Sequence, residues 1–319
     1  MPETGNGALA GIREVAVVGG GVIGASWAAL FLARGLAVTV SDPQPGVEEA
    51  VRGHIAGAAP ALKALGLDTS RLTARLTFEP DLATAVRGTD LVQENGPERL
   101  DVKHEMWRTI EDNAPAGALL ATSTSGIPAT EIATVLKEPG RLVVGHPFNP
   151  PHLVPLVEVV PGEKTSQETV ERARAFYAAL GKRPQVLRKE VPGFVANRLQ
   201  SAIFRECVHL VSEGVVTMAE LDSVVTSSLG PRWAVDGPFR SFHLGGGEGG
   251  LPHFMDHLGI GMERAWAAMA QEQVAFDEPT KRLLTEQTED FGGTIDELAA
   301  ERDRKQIAVL RALGEDFDD

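Results

Sequence analysis

Three glycines within six residues, Gly19, Gly21 and Gly24, separate a short β-branched run, Val15 to Val18, from an alanine- and leucine-rich run, Ala25 to Arg34. This order constrains the chain more than any other feature. A strand followed by a glycine-rich turn and a helix is the opening of a βαβ unit, in which the glycines let backbone pass close to backbone. The span Val15 to Ala33 is uncharged for 19 residues, which just reaches bilayer length. Its glycines and its change of composition read better as strand, turn and helix than as a membrane span. The pattern continues beyond the turn. Val38 to Ser41, Leu76 to Phe78, Leu91 to Glu94, Leu119 to Thr122 and Leu142 to His146 are strand candidates. Val47 to Leu65, Leu100 to Ile110 and Pro128 to Leu136 are helix candidates between them. In the long one, Val51, Ile55, Ala58 and Leu62 form an apolar face. Strands alternating with helices predict a mostly parallel, doubly wound Rossmann-type sheet covered on both faces, an α/β fold.

The remainder reads differently. Leu156 to Val160 and Gln185 to Leu187 are further strand candidates, with Thr169 to Leu180 a helix between them. After Pro192 and Gly193 the patterns are helical: Phe194 to Val211, part of Val215 to Leu229, and most of the chain from about 255 onward. Leu244 to Pro252 is glycine-rich and is expected to be a loop. Two domains are therefore expected, 1–190 with the sheet and 191–319 all-helical. A length of 319 residues suits two domains.

Charge and cysteine content narrow the partners. The formal net charge is −14, which argues against nucleic acid or an anionic membrane as the main partner. Cys207 is the single cysteine, so neither an intrachain disulfide nor a cysteine-based metal cluster is available; no metal site is expected. A reducing cytoplasm fits this content. The first residues, Met1 to Gly11, carry no basic segment or long apolar run and do not read as a signal peptide.

The glycine turn has a chemical reading as well as a structural one. In a dinucleotide site the first glycine makes the turn, the second admits the pyrophosphate and the third lets helix pack on strand. Gly19, Gly21, Val22, Ile23 and Gly24 would form that cradle, with free N–H groups at the helix start facing phosphate. Asp42 ends the second strand, 23 residues after Gly19, near the spacing of ~20 at which an acid accepts from ribose hydroxyls. A carboxylate there repels a 2′-phosphate, so NAD is expected rather than NADP. A structural turn with a solvated Asp42, or a flavin site, are the competing readings.

Polar residues gather at strand ends. Thr122 to Gly126 and Gly145 to Pro150 each follow a strand, at the edge where such sheets bind ligands. Histidine side chains suit general-base chemistry, so His146 is a candidate base, though a turn histidine reads equally well. Glu158 lies within an apolar strand and needs a partner if buried; His146 is the natural one. Ser125 and Asn197 have an ordinary alternative as helix caps.

These segments resemble the 3-hydroxyacyl-CoA dehydrogenase superfamily over nearly the whole chain: the glycine turn, QENGPERLDVK from Gln93, STSG from Ser123, HPFNP from His146, LVEVV from Leu156 and PGFVANRL from Pro192. Within it the chain is similar to the short-chain branch that includes L-carnitine dehydrogenase and L-gulonate 3-dehydrogenase/λ-crystallin. The resemblance implies a Rossmann domain followed by a helical domain that forms a homodimer. It implies His146 as catalytic base, Glu158 orienting it, and Ser125 and Asn197 holding the substrate oxygen. Glu98, Lys103, Ser125 and Asn149 would lie near the nicotinamide ribose or the substrate. Relatives acting on acyl-CoA hold the nucleotide through Ser and Lys on the helix after the second strand. Here Val47 to Leu65 offers only Arg52, His54 and Lys63, which favours a free L-3-hydroxy acid, carnitine- or gulonate-like, over a CoA ester. The expected activity is NAD-dependent oxidation of the 3-hydroxyl. A CoA ester remains the main rival. A Ser125/His146/Glu158 hydrolase lacks the G-x-S-x-G elbow, and a non-catalytic λ-crystallin-like role is at odds with an intact His146/Glu158 pair.

The substrate's carboxylate needs a partner as well. Arg232 follows Gly230-Pro231, expected to be a rigid turn, and guanidinium suits bidentate carboxylate binding. Trp233, Phe239 and Phe242 offer aromatic faces for a trimethylammonium group. A surface pair of Arg232 with Asp236, and Trp233 as core packing, is the competing reading.

Overall fold

The computed structural model describes residues 9–314. Eight strands form a single sheet in the order β3-β2-β1-β4-β5-β6-β7-β8. They are β1 Glu14–Val18, β2 Ala37–Ser41, β3 Leu76–Phe78, β4 Leu91–Glu94, β5 Leu119–Thr122, β6 Leu142–Pro147, β7 Leu156–Pro161 and β8 Arg183–Val186. All neighbours run parallel except β6 and β7, which are antiparallel. The helices between them are α1 Val22–Ala33, α2 Val47–Ala64, α3 Leu82–Ala85, α4 Leu100–Asn113, α5 Ala129–Ile132 and α6 Gln167–Ala179. The expected fold class is borne out: a mostly parallel Rossmann-type sheet, then helices.

The period-2 alternation of strand side chains divides the core into two layers. Val15 and Val17 of β1 face α1, α2 and α6, where Trp27 stacks on Phe31 at 5.2 Å and lies 5.7 Å from Tyr177. Ala16 and Val18 face the opposite way, toward Trp107 and Ile110 of α4. The face expected on α2 holds, with Val51, Ile55, Ala58 and Leu62 all buried.

The later helices are α7 Ala196–Ser212, α8 Met218–Ser227, α9 Leu229–Val235, α10 Gly237–Gly245, α11 Gly250–Phe254, α12 Ile260–Met269, α13 Glu278–Gln287 and α14 Ile295–Ala312. Thr217 and Glu220 close a reciprocal capping box that starts α8. Two expectations need correction. Leu244 to Pro252 is helical turns, not a loop: α10 runs into a 3-10 turn and then α11. The glycines there serve close packing, since a Cβ on Gly246 would meet Gly250 O at 1.8 Å. Gly230-Pro231 lies in the first turn of α9 rather than forming a separate rigid turn. Proline is tolerated there because its missing N–H would have no intrahelical partner.

Two compact units result. One runs to Asn197 and resumes at Glu301; the other is Arg198–Ala300. Helix α14 belongs to the first unit from Glu301 on, where Ile307 and Leu310 join Ala61, Leu65 and Leu153 in an apolar cluster. No described helix is long and apolar enough to cross a membrane.

Candidate active site

The glycine turn is shaped by what glycine alone permits. Gly19 has φ +92°, and a Cβ on it would meet the Asn95 carbonyl oxygen at 2.7 Å. A Cβ on Gly24 would lie 1.9 Å from Gly19 O, so strand and helix touch there. Gly21, the glycine expected to admit a pyrophosphate, has open space where its side chain would be. Val22 is exposed at the start of α1, whose first N–H groups have no side-chain cap, while Ile23 packs on the core. A cleft of about 460 Å³ opens here, lined by Gly19 to Gly21, Asp42, Gln44 to Val47, Ala50 and Asn95 to Pro97. Asp42 Oδ2 accepts from Gly20 N at 2.8 Å and Oδ1 from Gln44 N at 3.0 Å, which sets the carboxylate in the cleft wall. A helix N-terminus for phosphate, an open glycine and an acid for the ribose suit a dinucleotide such as NAD.

At the other end of the strand edge the antiparallel pairing of β6 and β7 sets His146 opposite Glu158. His146 Nδ1 and Glu158 Oε2 are 2.8 Å apart and both side chains are buried. Glu158 Oε1 also accepts from Val195 N at 2.9 Å and Ala196 N at 3.0 Å, at the start of α7. Burial pushes the Glu158 carboxyl up, but hydrogen bonds from His146 and these two amides outweigh it and hold it below the usual carboxylate range. An ionised Glu158 fixes Nδ1 as the proton-bearing nitrogen and leaves Nε2, across the ring, to exchange protons. The ring lies 5.6 Å from Phe148 and 5.3 Å from Phe194, centroid to centroid. Phe194 holds φ +49°, a strained setting for a non-glycine residue, and is fully buried against the imidazole. The signal for Phe194 in the sequence is that it follows Pro192-Gly193.

Ser125 is exposed on the turn after β5, and Asn197 Nδ2 points at Ser125 O from 3.5 Å. Asn149 is exposed after β6. Glu98 faces the same turn: its Oε1 accepts from Ser125 N at 3.0 Å, Gly126 N at 2.9 Å and Thr124 Oγ1 at 2.5 Å. Burial raises the Glu98 carboxyl, yet the Thr124 hydroxyl, the Lys103 charge and the two amides together hold it below the ordinary range. Lys103 is buried and donates to Glu94 Oε1 at 2.7 Å, with Glu98 Oε2 at 3.6 Å. Beneath the glycine turn lies a second polar network that the sequence did not announce. Ser123 Oγ takes hydrogen bonds from Trp27 Nε1 and Gln93 Nε2 and donates to Asn95 Oδ1, while Tyr177 OH donates to Gln93 Oε1.

Arg232 and Trp233 are on α9, in the Arg198–Ala300 unit. Arg232 is exposed and Trp233 half-buried. Asp236 pairs with Arg240 at 3.1 Å, so the expected surface alternative for Arg232 is not what this acid does. Among the described residues no group of three or more His, Cys, Asp or Glu is placed to hold a metal ion.

Two family models match the chain: the 3-hydroxyacyl-CoA dehydrogenase NAD-binding domain over residues 14–191 and the C-terminal domain of the same enzymes over 193–282. The chain belongs to the 3-hydroxyacyl-CoA dehydrogenase family. It is an NAD-dependent oxidoreductase of that family, and its sheet-bearing half is the NAD-binding domain. An L-carnitine dehydrogenase of Streptomyces griseus is 47% identical over 305 residues, covering 95% of this chain and 90% of the relative. A 3-hydroxyacyl-CoA dehydrogenase of Gibberella moniliformis is 43% identical over 307 residues, covering 94% and 95%. Among solved structures, an NAD⁺-dependent dismutase, 5-formyl-3-hydroxy-2-methylpyridine-4-carboxylic acid 5-dehydrogenase, is similar with a TM-score of 0.75 and 33% identity, covering 95% of this chain and 99% of that one.

Proposed function

We propose that this dehydrogenase oxidises the 3-hydroxyl of a small free L-3-hydroxy acid, with L-carnitine the leading substrate. The observation that carries the mechanism is the buried His146–Glu158 contact of 2.8 Å. His146 Nε2 takes the hydroxyl proton, and Glu158 holds the ring and stabilises the imidazolium that forms. Ser125 and Asn197 hold the substrate oxygen as it becomes a carbonyl. NAD, when bound, supplies the hydride acceptor. Gly19, Gly21, Val22, Ile23 and Gly24 hold its pyrophosphate and Asp42 its adenosine ribose. Glu98 and Asn149 serve the nicotinamide side, and Lys103 serves it from below the surface. Phe148 and Phe194 keep water from the imidazole.

The choice of a free acid is supported by the likeness to the L-carnitine dehydrogenase of Streptomyces griseus and by α2. There Arg52 is tied to Glu48 at 2.8 Å, Lys63 stands exposed, and His54 has its pKa lowered by burial. The Gibberella relative keeps the CoA ester as the second reading. Arg232 as carboxylate anchor, with Trp233 beside it, belongs to the same proposal. So does a homodimer formed through the helical segment, supported by the exposed apolar side chains of α7, Leu199, Ile203 and Phe204. A cytoplasmic location, which a single cysteine suits, completes it.

The deciding experiment is NADH absorbance at alkaline pH with L-carnitine, L-gulonate, L-3-hydroxybutyrate and its CoA ester. The proposal expects kcat/KM for L-carnitine at least tenfold above the others; preference for the CoA ester would replace it with the second reading.

A further inference from the structure

Glu94 ends β4 and is fully buried. Burying a carboxylate is costly unless donors surround it, and here each oxygen has one or more. Oε1 accepts from Gly96 N at 2.6 Å and from Lys103 Nζ at 2.7 Å; Oε2 accepts from Thr122 Oγ1 at 2.6 Å. Two routes lead from it into the Ser125 turn. Thr122 Oγ1, held by Glu94, accepts in turn from Thr124 N at 3.2 Å. Lys103, held by Glu94, sits 3.6 Å from Glu98 Oε2, and Glu98 Oε1 takes the Ser125 and Gly126 amides. One ammonium thus serves two carboxylates. While Glu94 keeps Lys103 deep, Glu98 has one oxygen drawn toward the ammonium and the other left for the turn.

We propose that Glu94 is a positioning residue that sets the Ser125 turn through Lys103–Glu98 and through Thr122. The inference rests on the proposed role of Ser125 in holding the substrate oxygen. Removing the Glu94 charge leaves Lys103 with Glu98 as its only carboxylate among the described residues. Glu98 then turns toward the ammonium and gives up the amides of Ser125 and Gly126.

Glu94→Gln keeps the shape and removes the charge. In the protein without added cofactor, amide hydrogen exchange of the segment 123–127 should speed up at least tenfold, while exchange in α1 stays as in wild type. With L-carnitine and NAD, kcat should fall about tenfold. The double-mutant cycle separates positioning from general damage. In a Ser125→Ala background the same substitution should cost less than twofold in kcat, because the group it positions is gone. Unchanged exchange at 123–127, or an equal kcat loss in both backgrounds, overturns the proposal. If Ser125→Ala alone leaves kcat intact, the role of Ser125 itself falls, and the exchange result still decides whether Glu94 holds the turn. Should Glu94→Gln fail to fold, Thr122→Val cuts the second route at nearly constant shape, removing the hydroxyl that links Glu94 to Thr124 N; exchange at 123–127 should then speed up, and an unchanged rate overturns the proposal.

Discussion

The sheet-bearing unit and the Arg198–Ala300 unit treat their apolar side chains differently. In the first, Trp27, Phe31, Trp107 and Phe176 are wholly removed from water, in two layers either side of the sheet. In the second, Val208, Val211 and Leu221 are buried, but Trp266 is 59% and Phe239 78% exposed. A parallel sheet must be covered on both faces, so its helices are committed to the core. Short helices joined by glycines carry no such obligation and leave apolar surface free for a partner or a ligand. The first unit therefore holds its site by its own packing, whereas the second offers surfaces whose worth depends on what covers them.

The sharpest way to break this comparison is to remove the chemistry assigned to the first unit. His146→Ala should lower kcat by roughly 10²–10⁴-fold while NADH binding, followed by fluorescence titration, stays within a few-fold of wild type. Glu158→Gln should cost less, and the acid limb of its pH–rate profile should move to lower pH. Without the carboxylate the imidazolium is disfavoured, so the neutral base persists into more acidic solution. A profile that moves to higher pH would remove Glu158 as the counter-charge.

The packing contrast itself is tested by truncation. Trp107→Ala should destabilise by about 3–5 kcal/mol in urea denaturation, since a fully buried indole leaves a cavity. Leu199→Ala, in a side chain 56% exposed, should change stability by less than about 0.5 kcal/mol at concentrations where the chain is monomeric. A large loss for Leu199→Ala under those conditions would mean that the helical unit depends on this face by itself.

Ser26 Oγ lies 2.8 Å from His152 Nδ1 and accepts from His152 N, clamping the chain after β6 onto α1. Burial pushes the His152 pKa down to about 4, with the charges of Asp303 opposing and of His54, Lys182 and Arg302 assisting. The unfolded chain binds a proton near 6.5 and the folded one does not until about 4, so stability falls as pH drops through that window. The loss is bounded at about 3 kcal/mol. His152→Gln should flatten the dependence of Tm on pH between 6.5 and 4, and an unaltered slope would show that other groups govern it. The smallest effect expected is on the cofactor: Asp42→Ala should narrow the preference for NAD over NADP in kcat/KM without reaching equality. A preference for NADP in the wild-type chain would overturn the role given to Asp42.

Local rules made the sheet legible. Leu76–Phe78, Leu91–Glu94 and Leu119–Thr122 fall where short, mostly apolar runs end at polar and turn residues, and α2 follows its apolar period. The glycine turn, Asp42, His146 and Glu158 were likewise legible, because strand ends and misplaced polar residues carry their own signal. The helical unit was read less well: the glycines of 244–252 look like a loop in sequence, and only the approach of the Gly250 backbone, whose carbonyl oxygen would lie 1.8 Å from a Cβ on Gly246, shows why they sit in helical turns.

The sequence by itself determined the alternation of strand and helix, the acid after the second strand and the presence of a histidine and a glutamate at one sheet edge. Tertiary structure alone decided that β7 runs antiparallel to β6, which puts Glu158 across from His146. It also decided that Glu94 and Glu98 share the Lys103 ammonium, and that Phe194 bends to φ +49° against the imidazole. The physical reason is range. Periodicity and turn chemistry act over a few residues, whereas buried charges find partners only after the chain has closed loops such as the 28 residues separating Glu94 from Thr122.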